Sequence, residues 1–163
     1  MPKEDFPMTT AVRELKEKDI AFVPHFYNYV EHGGTKVSSD SLNVPEHAVI
    51  KTLVMETDEH KPLLVLMNGD LEVSTKQLAR IIGVKHVDLC SAEAAQRHTG
   101  YQFGGTSPFG TRKRLPVYAE KNILDLPKIY INGGKRGFLV EVNPQEMKKI
   151  FEVNEIEVGI TIT

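Results

Sequence analysis

The sequence predicts an α+β fold, in which helices flank a mixed, mostly antiparallel β-sheet or barrel-like core. Strand-like and helix-like segments are interspersed without the steady strand–helix alternation of a doubly wound parallel sheet. Two apolar runs, residues 49–56 and 62–67, are separated by only five polar residues, which is typical of a hairpin. The length of 163 residues fits one domain, and we expect it to span residues 1–163.

Hydroxyl side chains mark the starts of the predicted helices, because they can accept hydrogen bonds from free backbone N–H groups. Thr9 or Thr10 precedes the first helix, and Ser74 and Ser91 precede two others. Gly83 ends the helix that Ser74 begins. The predicted helices cover residues 11–18, 39–42, 74–82, 91–98 and 144–151.

Runs rich in β-branched and aromatic residues predict the strands. These runs cover residues 21–30, 49–56, 62–67, 85–89, 115–119, 128–131 and 137–142. The run at 49–56 is largely apolar on both faces, so we expect it to be a central strand.

The composition restricts the classes of partner. The net charge is −2, so any nucleic acid must be bound through a local basic patch. Residues 1–12 lack the apolar core of a signal peptide, and the longest apolar runs are too short to span a bilayer. We therefore expect a cytoplasmic protein with neither a membrane nor DNA as a partner.

Metal and disulfide chemistry are disfavoured by the residue counts. Cys90 is the single cysteine, which excludes an intramolecular disulfide and favours a reducing compartment. The six histidines form no His-x-His or His-x-x-x-His pair, so we expect no metal site and no cofactor. We expect Cys90 to pack as a small apolar residue.

Lys51 is an unusual residue for its position. It lies inside the predicted central strand, on the face shared with Val49, Leu53 and Met55. A buried ammonium without a partner costs several kcal/mol, so this side chain must reach a partner, a cavity or solvent. A functional lysine in a cavity and a lysine that extends into solvent both satisfy this requirement.

Two glycine-rich segments are each followed by basic residues. Residues 104–114 read GGTSPFGTRKR, and residues 132–137 read NGGKRG. Adjacent glycines allow backbone N–H groups to converge on an anion, and the bases could bind phosphates. Each segment could also be an ordinary turn with a solvated charge run. Neither is a P-loop, and no Gly-x-Ser-x-Gly elbow supports a serine hydrolase.

Three segments together resemble a known family. They are VIKTLVM (49–55), AQRHTGYQFGGTSPFGTRKRLPV (95–117) and IYINGGKRG (129–137), and their order and spacing agree from about residue 11 to residue 150. The pattern is similar to the YbaK/prolyl-tRNA-synthetase editing-domain family of aminoacyl-tRNA deacylases. Members hydrolyse the ester that joins a wrong amino acid to tRNA, commonly cysteine or alanine on proline tRNA. The resemblance implies a trans-editing enzyme that binds the tRNA acceptor end, with prolyl-tRNA synthetase as a further partner.

The resemblance also implies the site residues. Lys51 matches the essential lysine of the family, and Gly104 and Gly105 lie in a loop whose backbone faces the scissile carbonyl. The implied substrate-binding residues are Tyr27, Thr52, Ser107, Pro108, Asn132, Gly133 and Arg136.

One position departs from the family pattern. Relatives specific for cysteine carry an aspartate where this chain has Leu139. Cys-tRNA(Pro) is the expected substrate, and Ala in place of Cys is an alternative. Two further alternatives remain: a non-catalytic module that binds tRNA or a synthetase through its basic residues, and a hydrolase of small acyl adducts unrelated to tRNA.

Overall fold

The computed structural model describes residues 6–162, which form ten β-strands and four α-helices. The strands are β1 (Val23–Phe26), β2 (Val49–Thr57), β3 (Pro62–Asn68), β4 (Leu71–Val73), β5 (Val87–Leu89), β6 (Val117–Glu120), β7 (Ile129–Lys135), β8 (Phe138–Val142), β9 (Val153–Ile156) and β10 (Gly159–Thr161). The helices are α1 (Thr10–Glu17), α2 (Gly34–Leu42), α3 (Thr75–Ile82) and α4 (Ala92–Thr99). Three 3-10 turns lie at Glu46–Ala48, Lys121–Asp125 and Pro144–Lys149.

Eight strands form one mixed sheet. Its order is β1-β8-β7-β2-β3-β6-β9, with β5 also paired to β2, while β4 and β10 form a separate antiparallel pair. In the large sheet, four strand pairs are antiparallel and three are parallel. The predicted α+β class with a mixed, mostly antiparallel sheet is confirmed. Within residues 6–162 the edge strands β1 and β9 do not pair, so the sheet does not close into a barrel.

Strand β2 has one continuous edge and one interrupted edge. Along the first edge it pairs antiparallel with β3 from residue 50 to residue 56. On the other edge it pairs with β7 only at residues 49–50 and with β5 only at residues 55–57. Between these two partners, residues 51–53 have no strand beside them on this second edge within the described part of the chain, and a gap opens in the sheet.

The two faces of the sheet carry different cores, as strand alternation requires. Ile50 and Val54 of β2 belong to the larger core, together with Leu15 of α1. Met55 packs on the opposite face with Leu78 of α3. Burying each such side chain contributes about 1.5–3 kcal/mol, so the helices hold the sheet, and the gap in it, in a fixed position.

The predicted helix caps are present. The Thr9 and Ser91 hydroxyls each accept a backbone N–H at 3.1 Å, Ser74 accepts one at 3.3 Å, and Gly83 ends α3 with φ +86°. Helix α2 begins five residues before the predicted start, at Gly34. The predicted strand at 21–30 shortens to β1, and the predicted helix at 144–151 is a 3-10 turn.

Within residues 6–162, no helix is both long enough and apolar enough to cross a membrane.

Candidate active site

A cavity of about 500 Å³ opens at the gap in the sheet. Its walls come from β2, from α2, from the start of α4 and from the loop that contains Gly104. Five of the predicted catalytic and substrate-binding residues line this cavity: Tyr27, Lys51, Thr52, Gly104 and Asn132. Leu139, the position that departs from the family pattern, also lies in its wall. The volume is typical of pockets that hold a ligand the size of a drug molecule.

Lys51 lies partly buried in the wall of the cavity. Its ammonium donates a hydrogen bond to the carbonyl oxygen of Leu71. Burial lowers the pKa of Lys51, and the carboxylates of Glu46, Glu72 and Asp70 partly oppose this shift. An ammonium has three N–H donors, so the bond to Leu71 leaves further donors for a ligand.

Thr52 presents unpaired polar groups at the gap. Its Oγ1 atom is buried and has no hydrogen-bond partner. The carbonyl of Val54 accepts a bond from the Cys90 N–H on this edge, at 3.0 Å. Because strand residues two apart direct their N–H and C=O groups to the same edge, the backbone of Thr52 also faces the gap. A buried polar group without a partner is costly, which favours a ligand or water at this position.

The glycine loop approaches the cavity through Gly104. This residue has φ +86°, and a Cβ there would lie 2.6 Å from the Tyr29 hydroxyl, so a larger residue would strain the backbone and displace the Tyr29 side chain. Its carbonyl accepts a 3.2 Å bond from Nδ2 of Asn132, whose Oδ1 in turn accepts the Gly134 and Lys135 N–H groups. Asn132 thus ties the loop to the bulge at the end of β7.

The backbone N–H groups of the glycine loop differ in their hydrogen bonding. Gly105 does not line the cavity, and its N–H donates to the Gln102 carbonyl at 2.8 Å. Thr106 does line the cavity. Within residues 6–162, the N–H groups of Gly104 and Thr106 have no hydrogen-bond partner. Of the loop residues that line the cavity, Gly104 and Thr106 thus keep N–H groups without a partner among residues 6–162.

Ser107 and Pro108 are buried and do not line the cavity. The Ser107 hydroxyl accepts the Phe109 N–H at 3.2 Å. Pro108 lines a separate cleft of about 260 Å³ with Arg112 and Arg114. These two residues are therefore buried parts of the loop outside the cavity wall, and the Ser107 hydroxyl stabilises a turn within the loop.

Gly133 and Arg136 also lie outside the cavity wall. A Cβ at Gly133 would come within 2.5 Å of the Phe138 ring, so this glycine is required for packing. The Nε of Arg136 donates to the Phe103 carbonyl at 2.7 Å, and its guanidinium lies 4.9 Å from the centre of the Tyr29 ring. Arg136 therefore supports two residues that do line the cavity.

The sequence did not reveal several cavity residues. These are Val30, Leu89 and Phe103, which line its mouth. Phe103 adjoins Gly104 in the chain, which is the only sequence signal that could have indicated one of them. None of the lining residues is an aspartate or a glutamate.

Cys90 lines the cavity as well as packing against the larger core. Burial, with a smaller contribution from the Glu56 carboxylate, raises the pKa of its thiol to about 11. At neutral pH this side chain is a neutral thiol in the cavity wall. Within residues 6–162, no cluster of three histidine, cysteine, aspartate or glutamate side chains is arranged to hold a metal ion.

Comparison with known proteins places this geometry in a family. The model of the aminoacyl-tRNA editing domain matches residues 34–150. The chain belongs to this family. The matched range includes Lys51, the glycine loop and the bulge at Asn132, so the predicted resemblance is confirmed.

Relatives of this editing domain occur alone and within larger proteins. EbsC of Enterococcus faecalis, which is named as a proposed Cys-tRNA(Pro)/Cys-tRNA(Cys) deacylase, is 28% identical over 138 residues, or 84% of each chain. The proline–tRNA ligase of Streptococcus uberis is 30% identical over 124 residues, which are 74% of this chain but 20% of the ligase. The chain thus spans about a fifth of such ligases.

Solved structures share the fold of this editing domain. A proposed trans-editing enzyme for prolyl-tRNA synthetase superposes with a TM-score of 0.80 at 19% identity, over 95% of this chain and 99% of the other. A hypothetical protein, APE2540, superposes with a TM-score of 0.83 at 20% identity, over 93% of this chain and all of the other. The expectation of an enzyme of the aminoacyl-tRNA deacylase class is confirmed through the family.

Proposed function

We propose that this protein hydrolyses the aminoacyl ester of mischarged tRNA in the cavity at the gap of the sheet. The observation that carries the proposal is the shared cavity of Lys51, Thr52 and Gly104. These three residues line one ligand-sized space, and they carry an ammonium, a buried hydroxyl without a partner and a backbone N–H without a partner among residues 6–162.

The N–H groups of Gly104 and Thr106 are the proposed donors to the carbonyl oxygen of the ester. That oxygen gains negative charge when the carbonyl carbon is attacked, and donors held in advance stabilise the charge. The bond from Asn132 to the Gly104 carbonyl holds the loop in place before substrate binds. The loss of one such donor typically costs about 2.7–4 kcal/mol.

Lys51 is the proposed anchor of the terminal nucleotide, through its phosphate or its ribose hydroxyls. Burial is the main effect and lowers the pKa of Lys51, and the carboxylates of Glu46, Glu72 and Asp70 partly oppose it. The proposal uses Lys51 in its charged form. A charged ammonium can hold and orient a polar substrate but cannot accept a proton. General-base catalysis by Lys51 is therefore not part of the proposal.

Hydrolysis requires one bond to form and one to break. The oxygen of water attacks the ester carbon, the bond between that carbon and the ribose oxygen breaks, and the ribose oxygen takes a proton. Where the acyl group is cysteine, its own thiol could attack in place of water. The thiol of Cys90 is an unsuitable nucleophile, because its raised pKa keeps it protonated.

We further propose that the acyl group is small and that its tRNA is of proline identity. Cys-tRNA(Pro) is the first candidate and Ala-tRNA(Pro) the second. The apolar cavity wall at Val49, Ile50 and Leu139 suits either side chain. Because no carboxylate lines the cavity, the polar groups of Thr52 are the proposed partners of the substrate's α-amino group.

The protein would act on the tRNA acceptor end in trans, in the cytoplasm, as one domain that spans residues 1–163. Prolyl-tRNA synthetase is the proposed partner, since the chain is similar to a segment of proline–tRNA ligases.

Turnover against a panel of charged tRNAs tests the proposal. Cysteinyl-, alanyl- and seryl-tRNA of proline identity are incubated with the wild type and with Lys51→Ala. We expect the wild type to release the amino acid from at least one of them, and Lys51→Ala to be slower by about a hundredfold or more.

Lys61→Ala is the matched control, because Lys61 lies in the turn of the same hairpin with its side chain exposed. We expect it to retain full activity. If Lys51→Ala hydrolyses charged tRNA as fast as the wild type, Lys51 does not anchor the substrate. If the wild type binds every charged tRNA but releases no amino acid from any of them, the protein is the non-catalytic binding module instead.

A further inference from the structure

The mouth of the cavity carries an apolar surface that deacylation does not by itself require. Three side chains form this rim: Val30, Leu89 and Phe103, with exposed fractions of 52%, 63% and 59%. Exposed apolar groups gathered around one opening are uncommon on soluble proteins and mark binding surfaces.

Phe103 is held in place although its ring is exposed. Its carbonyl accepts a 2.7 Å bond from Nε of Arg136, and the next residue, Gly104, lies against the Tyr29 hydroxyl. Arg136 in turn lies over the Tyr29 ring at 4.9 Å. The backbone on the carbonyl side of Phe103 is therefore held by Arg136 and Tyr29, while its ring is exposed.

No aromatic partner covers Phe103. Phe26 is 51% exposed but stacks on Phe138, with ring centres 5.3 Å apart. Within residues 6–162, no ring contact involves Phe103. Its face is free to stack on a planar group.

We propose that the rim binds the terminal nucleobase of the substrate RNA, with Phe103 as the stacking surface and Val30 and Leu89 at its sides. The inference rests on the proposed function, and it assigns the part of the substrate next to the ester. A cavity of about 500 Å³ exceeds what a small aminoacyl group fills, so it has room for a nucleoside. The exposed Arg136 donates to the Phe103 carbonyl, and the exposed Lys135 precedes it in the chain, so positive charge near Phe103 can complement a phosphate chain that leaves the cavity.

A nucleobase suits this surface better than an apolar side chain of a protein partner. Stacking of a base on an aromatic ring is worth about 1–3 kcal/mol, and flanking basic residues are the usual companions of such rings in single-stranded RNA sites. The substitution Phe103→Ala should therefore weaken RNA binding by about 5- to 150-fold.

The test is a binding measurement that needs no catalysis. An uncharged RNA hairpin that copies the acceptor end carries the fluorescent base 2-aminopurine in place of its terminal adenine, and stacking quenches this fluorescence. We expect quenching with the wild type and with Phe103→Tyr. We expect no quenching and weaker binding with Phe103→Ala.

Two controls separate stacking from other effects. Ile81→Ala removes an equally exposed side chain (53%) that does not line the cavity, and it should change nothing. A hairpin that ends in an abasic ribose should bind the wild type as weakly as the normal hairpin binds Phe103→Ala, and Phe103→Ala should weaken its binding no further.

Quenching that persists in Phe103→Ala, or equal weakening on the abasic hairpin, would overturn the inference. Phe103→Ala that binds the hairpin normally but no longer binds a proline–tRNA ligase would show that the rim contacts protein instead. If the wild type hydrolyses charged tRNA but does not quench the fluorescence, the base site is wrong and the proposed deacylation is unaffected. If the wild type quenches the fluorescence but hydrolyses no charged tRNA, the proposed deacylation is wrong and the base site is still supported.

Discussion

Cys90 illustrates how the surroundings of one residue decide its chemistry. Its thiol lies in the cavity wall, where burial is the main cause of a pKa raised to about 11 and the Glu56 carboxylate is the second. The thiolate is the reactive form of cysteine, so this position should be slow to react at neutral pH. Sequence alone indicated a small apolar role for Cys90 but not its place in the cavity, because the place depends on how β5 pairs with β2.

We expect alkylation of Cys90 by iodoacetamide to be on the order of tenfold slower at pH 8 than alkylation of a peptide cysteine. The rate should keep rising to about pH 11, since the thiolate fraction rises until the pH passes the pKa. Glu56→Gln removes a negative charge that disfavours the thiolate, so its profile should move to lower pH. Glu93→Gln on the exposed face of α4 is the control. A wild-type profile that levels off near pH 8.5 would contradict the assignment.

Among the connecting elements, the glycine loop docks on α1 through Gly110. Its N–H donates to the Glu14 carboxylate at 2.7 Å, and a Cβ at Gly110 would lie 2.3 Å from the Thr10 carbonyl oxygen. Gly34, at the start of α2, has nearly the same φ (+63° against +62°), but no atom lies within 4 Å of a Cβ there. The two glycines separate the cost of conformation from the cost of packing.

We expect Gly34→Ala to lower the free energy of unfolding by about 1–2 kcal/mol, the cost of a left-handed backbone for alanine. Gly110→Ala should lower it by a further ~1–3 kcal/mol, because Thr10 of α1 must also move. Urea unfolding of both variants measures the difference. Equal losses would show that the loop does not depend on its contact with α1.

The end of the described chain is tied to the sheet by Glu120. Its buried carboxylate accepts the N–H groups of Val158 and Gly159, each at 2.8 Å, next to the pairing of β10 with β4. Hydrogen bonds to charged groups contribute about 1.5–3 kcal/mol each. Residues this far from β6 in sequence offered no sign of the contact.

We expect Glu120→Ala to lower the free energy of unfolding by about 3 kcal/mol or more and to increase amide hydrogen exchange in residues 158–161. The control is Glu157→Ala, since the Glu157 side chain is 75% exposed and faces Lys121 at 3.7 Å. Its effect should stay within about 0.5 kcal/mol. Unchanged exchange in Glu120→Ala would mean that β4 alone holds β10.

Local signals predicted most of these elements, and long-range pairing explains the rest. The caps at Thr9, Ser74 and Ser91 and the hairpin of β2 with β3 follow from neighbouring residues, and they are present. Strands β4, β9 and β10 have three or four residues each and form only because distant partners pair with them. Helix α2 was predicted too short, since it begins at Gly34 and the prediction began at residue 39.

At the scale of the whole molecule, the site arises from a sheet that β7 and β5 leave open between them. The sequence placed Lys51 on a central strand and glycines in a loop, but the gap that joins them depends on two strand registers. No pattern of residues in the sequence predicts the gap between β7 and β5. The rim and the Thr52 hydroxyl could therefore be found only in three dimensions.

The size and the net charge of the protein limit which parts of a tRNA it can contact. A compact domain of 163 residues has a radius of gyration of about 15 Å, so a site at its surface reaches one end of a tRNA. The net charge of −2 leaves only local basic residues, such as Lys135 and Arg136, to contact phosphates. Recognition should therefore be confined to the acceptor end and should depend weakly on salt.

We expect a charged minihelix, which keeps only the acceptor stem and its arm, to be hydrolysed with kcat/KM within about threefold of the full-length tRNA, since no distant part of the tRNA is within reach. The slope of log K against log salt should correspond to about two to four phosphates. Adding a proline–tRNA ligase should restore preference for its own tRNA, if that protein supplies the selection that this domain lacks. A preference above about tenfold for full-length tRNA by the isolated domain, with a steep salt slope, would show a second binding surface beyond the cavity.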